Sequence, residues 1–441
     1  NLAALNLGWY LDWHTALTPT RPNNAEYYQV VRIHTAIDGG FTFTPPTSTL
    51  QAAVLANPGA IWLIGNEPDS PAQDGLLPEL YARAYHHLYG LIKSYDATAQ
   101  IGAGGIVQPT PLRLQYLDRV LAAYRAYYSQ TLPADLWNVH TYILREITDD
   151  DPESVTNGGP YEVWGAYVPP GSSATRGELY TYSQMFSQSI FRQRLIDFRS
   201  WMARNGYRNT PLIITEYGTL FPYPPYLDGD PYVDENNVPM TEARTATFMT
   251  GTFNTLQTLS DPGLGYRPDG ERLVQRWAWY STNDVQYGGI LFYTMTQALN
   301  PLGQVFAAYT NQLTPTVDLF PLVDPFAVRW EGQPVTVTLR ALIANQGNIS
   351  ASQAITVTFY DGPAGSGSPI GTVVLPATEL RGCGGVRQVD RAWSLSAPGA
   401  HPFSVKVETA AGESTVSNNT ATAFVLVSTQ QVYLPTIVRA P

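Results

Sequence analysis

Up to about residue 310, short apolar runs alternate with longer amphipathic stretches, and few architectures accept that order. The apolar runs are LNLGWYLDW (5–13), YQVVRIHT (28–35), AIWLIGNEPD (60–69), QIGAGGI (100–106), DLWNVHTYI (135–143), PLIITEYGT (211–219) and QRWAWYS (275–281). Helix-period stretches lie between them at 76–95, 110–130, 182–205 and 241–260, the last ending before Asp261-Pro262-Gly263, and NPLGQVFAAYT (300–310) reads as a closing helix. Near-continuous apolar strands suit a parallel sheet buried on both faces. The expected fold is α/β: a (β/α)8 TIM barrel over residues 1–313. Seven strands are clear where such a barrel has eight. Either residues 3–6 or residues 40–44 supply the missing one.

After Thr314 the pattern changes to period-2 runs separated by turn residues: VTVTLRALIANQG, QAITVTFYDG, PIGTVVLP, RQVDRAWSL, PFSVKVETAAG and NNTATAFVLV. This predicts an antiparallel β-sandwich over 314–428. A tail, 429–441, follows and reads as a last edge strand or an anchoring signal.

Charge and cysteine content narrow the function. The net charge is −11, and no basic run appears, which argues against nucleic-acid or anionic-membrane partners. No apolar run reaches the roughly 20 residues that span a bilayer. One cysteine, Cys383, leaves no intrachain disulfide and no cysteine metal cluster. The six histidines form no His-x-x-x-His pair, so neither a catalytic metal nor another cofactor is expected. The chain starts at Asn1 without an initiator Met, which reads as a trimmed end. With few charges and many Pro, Gly and aromatic residues, a secreted or cell-surface bacterial protein is expected.

Two strand ends carry chemistry. In IWLIGNEPDS (61–70), Pro68 ends an apolar strand and leaves Glu67 at the C-terminal mouth, where barrels of this type build their sites. In PLIITEYGTLF (211–221), Glu216 follows four apolar residues in the same way, three strands later. In a closed eight-strand barrel these two positions face each other. Paired carboxyls flanking a glycosidic bond are what glycoside hydrolysis uses, and their separation distinguishes retention from inversion. Connections 143–181 and 220–240 are long enough to wall a cleft.

NEP at one strand end and TEYG three strands later, with His-x-Tyr between and Trp after, resembles glycoside hydrolase clan A over about residues 5–310. LIGNEPD, IGAGGI and NVHTY are most similar to the group containing the family 128 β-1,3-glucanases, and the closing segment is as similar to families 39 and 5. The resemblance implies Glu67 as acid/base and Glu216 as nucleophile. It further implies Asn66 as the ligand of the sugar 2-hydroxyl, His140 and Tyr142 as the His-x-Tyr pair with Tyr142 bonded to the nucleophile, and Trp279, or Trp277, as the sugar platform; the residues alone leave open that His140 is a core histidine and that Trp279 only packs in its strand. Arg32 matches the clan's early arginine, or pairs with a structural carboxylate. The C-terminal segment resembles the CARDB-type immunoglobulin-like adhesion module over about 333–427, through Asn345-Gln346-Gly347, Trp393, Glu413 and Asn418-Asn419. Such modules imply attachment to a surface or polysaccharide.

Trp9, Tyr10, Asp12 and Trp13 lie near a strand end and offer sugar-facing rings and a hydroxyl-binding carboxylate, although about half belong in a core. Trp164, Tyr223 and Tyr226 either line subsites or are plain surface aromatics. Residues 149–151 and Asp228, Asp230, Asp234 and Glu235 have oxygen ligands for Ca2+ but lack EF-hand spacing, so a solvated loop is the simpler reading. The expected activity is retaining hydrolysis of a β-linked polysaccharide or oligosaccharide, a β-glucan being the best match. The alternatives are a non-catalytic glycan-binding barrel and a transglycosylase using the same residues.

Overall fold

The computed structural model describes residues 2–148, 150–152, 165–224, 231–285, 287–377 and 380–429. By contacts the chain divides into two compact units, Asn1–Leu259 with Arg276–Leu313, and Ser260–Gln275 with Thr314–Pro441. The expected boundary after residue 313 therefore differs in one respect: Ser260–Gln275 belongs to the second unit.

In the first unit, strands β1 (Trp9–Tyr10), β2 (Glu26–Tyr27), β3 (Gln29–Thr35), β4 (Phe41–Thr44), β5 (Ile61–Ile64), β6 (Gln100–Ala103) and β7 (Trp137–Val139) are followed by a small parallel pair, β8 (Glu146–Ile147) and β9 (Ala166–Tyr167), and then β10 (Leu212–Ile214) and β11 (Arg276–Trp277). β1 pairs parallel with β2, and β2 continues through Tyr28 into β3. Parallel pairing then runs β3 to β5 to β6, bridges to β7 at Gly102–Leu136 and Ile106–Val139, and continues to β10 and β11. All seven expected strand runs are in this array, in chain order. Neither candidate for the eighth strand joins it in parallel. Residues Leu2–Leu5 form a 3-10 helix, and β4 pairs antiparallel with β3.

Among the described residues no sheet closes on itself through the backbone, yet the array curls strongly. In a flat sheet β1 and β10 would lie about five spacings of ~4.8 Å apart. Instead Trp13, just beyond β1, bonds Glu216, just beyond β10. Arg276 of β11 donates to Glu26 (2.7 Å) and to the Tyr28 hydroxyl (2.6 Å). Tyr28, Val30, Ile61, Leu63, Leu136 and Ile213 share one core, with Trp9 and Leu11 against it.

Helices α1 (Thr47–Ala56), α2 (Pro78–Tyr95), α3 (Pro111–Tyr128), α4 (Gln188–Arg204), α5 (Glu242–Thr258) and α6 (Pro301–Asn311) connect and follow the parallel strands. Pro begins α2, α3 and α6, where its missing N–H has no intrahelical partner to lose. Ser187, Thr241 and Asn300 cap α4, α5 and α6 through their side-chain oxygens. α2 buries Leu80, Tyr81, Ala84, Tyr85, Leu88 and Ile92, the face its helical spacing predicts. α1 was not expected; it has no charged face opposite its buried Leu50, Ala53 and Val54, so its periodicity is weak.

The second unit holds β12 (Leu319–Leu322), β13 (Phe326–Arg329), β14 (Val335–Asn345), β15 (Ile355–Asp361), β16 (Ser368–Leu375), β17 (Gly385–Leu395), β18 (Gly399–Val407) and β19 (Thr420–Ser428). They form sheets β12-β14-β17 and β13-β19-β18-β15-β16. Leu339, Ile343 and Val389 from one sheet share a core with Val357, Phe359, Phe403, Val405 and Val425 from the other. Pairing is antiparallel except between β13 and β19, which run parallel, a departure from the expected all-antiparallel arrangement. The Asn345 amide accepts from the backbone of Asp318 and Gly347 and donates to the carbonyls of Ile349 and Leu380, so it pins a turn. Residues 430–441, nearly all of the tail, lie outside the described residues. No described helix is long and apolar enough to cross a membrane.

Candidate active site

The ends of β5, β7 and β10 bring together Glu67, His140, Tyr142 and Glu216. β5 is buried along its whole length, and Gly65 (φ 87°) then turns the chain so that Glu67 is presented at the strand end. Glu67 itself has φ 45°, uncommon for a residue with a side chain. Its N–H is held by the Gly105 carbonyl at 2.9 Å. In the 137–142 segment, alternation puts Asn138, His140 and Tyr142 on one face. Trp137 goes to the other face, against Phe198, Trp201 and Tyr207.

Glu67 and Glu216 are 8% and 7% exposed. One oxygen of each, with a ring nitrogen of His140, lies within 4.8 Å of the others. His140 Nδ1 is 2.8 Å from Glu67 Oε1, and its Nε2 is 3.0 Å from Thr215 Oγ1 and 3.6 Å from Glu216 Oε1. Among the described residues this is the one trio of His, Cys, Asp or Glu close enough to share a cation. Both ring nitrogens are already engaged by hydrogen bonds, so the arrangement suits proton transfer better than metal ligation.

The two carboxyls are equally buried but differ in their hydrogen-bond partners. Trp13 Nε1 donates to Glu216 Oε1 at 2.5 Å, and the Tyr142 hydroxyl donates to Oε2 at 3.2 Å. Burial raises the Glu216 pKa above the ordinary carboxylate value; His140 and these two donors oppose the rise. Burial pushes Glu67 up to about 8, and Asp69 beside it adds to the shift, against weaker pulls from Arg113 and Arg32. His140, wholly buried, is pushed down by loss of solvent. At neutral pH Glu67 therefore holds a proton, and burial favours the uncharged form of His140.

The loop after β5 is held from below. Asp69 pairs with Arg113 of α3, whose Nε reaches Glu146 at 2.7 Å, all three fully buried. Asp74 accepts from the N–H groups of Asn66 (2.8 Å) and Ile33 (3.1 Å).

Several expected roles change. Of the two readings of Arg32, the structure shows the pairing with a structural carboxylate: it bonds Asp74 at 2.6 Å and Gln73 at 3.1 Å, and sits on β3 beside the acid's loop rather than the nucleophile. Trp279, expected as a sugar platform, is 7% exposed, donates to the Gly289 carbonyl at 2.8 Å, and packs on Tyr217, Phe248 and Phe253. Trp277 packs on Phe253 of α5. The half-buried rings next to the carboxylates are Trp13 and Tyr280, 5.7 Å apart. Trp9 stacks on Tyr28 in the core. Asp12, exposed, is tied to the Tyr27 hydroxyl and the His14 N–H. Asn66 is buried beside Glu67, and its side-chain amide makes no hydrogen bond among the described residues. Asp151, Asp234 and Glu235 are engaged by Arg176, Arg244 and Ser183, which weakens a Ca2+ reading. Asp149, Trp164, Tyr226, Asp228 and Asp230 lie outside the described residues, and Tyr223 is buried.

Sequence reasoning grouped Trp13 with generic aromatics and passed over Asn138 and Thr215. Period 2 puts Asn138 beside His140, and Thr215 precedes Glu216; only the fold brings Trp13 to them.

No protein-family model matches the chain, and no curated protein does. Solved structures similar to it include family 128 subgroup II endo-β-1,3-glucanases from Sorangium cellulosum and Pseudomonas viridiflava, each 15% identical with TM-score 0.42, covering 70% of this chain and 93% of theirs. A subgroup I endo-β-1,3-glucanase from Amycolatopsis mediterranei in complex with laminaritriose is 17% identical with TM-score 0.42, covering 70% and 92%. The CARDB domain of a Pyrococcus furiosus protein, in complex with di-metal ions, is 18% identical with TM-score 0.21, covering 26% and 90%. Similarity at this level assigns neither fold nor activity to this chain.

Proposed function

We propose that the chain is a retaining glycoside hydrolase of a β-linked polysaccharide, a β-glucan first among candidates, working at the mouth of a (β/α)8 barrel. The supporting observation is the pair of buried carboxyls. One oxygen of each approaches the other within 4.8 Å, compatible with the roughly 5–5.5 Å carboxyl separation of retaining enzymes. Curling of the parallel array favours barrel closure. The two sheets after Thr314 fit a β-sandwich serving attachment to a surface or polysaccharide, and a composition with few charges and many Pro, Gly and aromatic residues favours export.

In the first step Glu216 attacks the anomeric carbon. The glycosidic C–O bond breaks, and the leaving oxygen takes the proton of Glu67. In the second step water attacks that carbon, Glu67 takes the water's proton, and the ester to Glu216 breaks. Trp13 and Tyr142 stabilise the Glu216 carboxylate before attack and as it leaves. Asn66, preceding Glu67 in the chain, takes the role of bonding the sugar 2-hydroxyl in this reading.

A polysaccharide panel with oligosaccharide analysis tests the reading. Wild type is expected to release oligosaccharides from at least one β-glucan, and Glu216→Ala to release none. Glu67→Ala is expected to retain activity best on substrates with good leaving groups and to be rescued by azide. Binding without product release would instead identify a glycan-binding protein.

A further inference from the structure

Behind the two carboxyls runs a buried hydrogen-bond chain whose direction is fixed at one end by the backbone. The Thr215 N–H donates to Asn138 Oδ1 at 3.2 Å, so that atom is the amide oxygen. The Thr215 hydroxyl lies 3.0 Å from the same oxygen, which has no hydrogen, so the hydroxyl donates there. Its one hydrogen thus used, Thr215 Oγ1 accepts from His140 Nε2 at 3.0 Å. A reversed Thr215 hydroxyl would leave two oxygens facing each other at that distance with no hydrogen between them. Glu216 Oε1 also lies 3.6 Å from Nε2, and its charge favours a hydrogen on that nitrogen. Asn138, Thr215 and His140 are each at most 3% exposed, so water does not rearrange the chain.

We propose that Asn138 and Thr215 are positioning residues that lock His140 as its Nε2–H form, so that the Nδ1 lone pair faces Glu67 and keeps the acid's proton in place before glycan binds. The proposal rests on the reading of Glu67 as acid/base. An ionised Glu67 would confront that lone pair at 2.8 Å, whereas a protonated one closes the contact with a hydrogen. The other charged or titratable groups around the pair are Asp69, Asp74, Arg113, Arg32, Glu216, Tyr142 and Tyr287. None of them lies in the Asn138–Thr215–His140 chain, so changes to the chain are separable from theirs.

Nitrogen-15 NMR of the wild-type imidazoles, with His140 assigned by His140→Gln, tests this directly and needs no substrate. A neutral Nε2–H ring is expected; a neutral Nδ1–H ring would overturn the proposal. In pH profiles of kcat/KM, Thr215→Val frees the ring to turn its hydrogen toward Glu67, which should lower the alkaline limb by about one pH unit or more. Asn138→Leu releases the Thr215 hydroxyl toward Nε2 and should move the limb the same way. Thr215→Ser should keep the wild-type limb. An unmoved limb in an active Thr215→Val enzyme would also overturn it. If no glycan is cleaved, the catalytic reading fails while the ring measurement still decides the chain.

Discussion

Trp13 gives the nucleophile carboxylate the shorter of its two side-chain hydrogen bonds. Its indole N–H meets the nucleophile oxygen from a backbone at φ 60°, a conformation a tryptophan rarely adopts without support. A hydrogen bond to a charged group contributes about 1.5–3 kcal/mol, so Trp13→Phe should cut kcat/KM by about 10- to 100-fold. Removing a donor to the carboxylate raises its pKa, so the acid limb should also move to higher pH. A profile superimposable on wild type would refute the role. On the other side of the site, wild-type kcat/KM should fall as pH rises through about 8, where Glu67 loses its proton.

At the scale of elements, packing under the strand ends leaves no slack. A Cβ on Gly105 would sit 2.5 Å from His140 Cδ2 and 2.7 Å from Nε2. Gly105→Ala should therefore push the ring off Glu67 and remove activity while far-UV circular dichroism is retained; full activity would show that the ring has room to move. Arg113 neutralises two buried carboxylates at once, Asp69 and Glu146. Arg113→Met leaves both without a cation and should cost about 3–5 kcal/mol in denaturant unfolding. The strand ends carrying Glu67 and Glu216 were legible because apolar runs stop at Pro68 and Gly218 there, and His140 was legible through its place in His-x-Tyr. Arg32 and Trp279 were not: period and motif order say which strand a residue is on, not which neighbour it reaches. Arg32 met Asp74, a loop residue that no spacing rule places. α1 escaped because its exposed face lacks charge, and the antiparallel course of β4 depends on a turn that the apolar pattern does not encode.

For the molecule as a whole, pH and chain division carry the consequences. The folded pKa of Glu67 lies above its unfolded value of 4.5, so the folded state binds the proton more tightly. That contribution to stability is fully present below pH 4.5 and is lost as pH rises through about 8. Glu67→Gln should then melt above wild type at alkaline pH and close to it in acid; the opposite order would contradict a buried acid. The excursion Ser260–Gln275 belongs with the C-terminal unit, where Arg272 donates to the Gln346 carbonyl at 3.1 Å. A chain ending at Leu313 should be cut by trypsin after Arg272 much faster than the full chain, and equal resistance would show that the segment needs no such partner. The change of texture at Thr314 was legible, but this segment was not, because a short loop carries no mark of the core it joins.

The central claim is that Glu67 and Glu216 cooperate in a double displacement at one anomeric centre. Proton NMR of a β-glucan digest, recorded before mutarotation, reads it most directly. Release of the β-anomer first, absent with Glu216→Ala, is the predicted result; release of the α-anomer first would contradict the account.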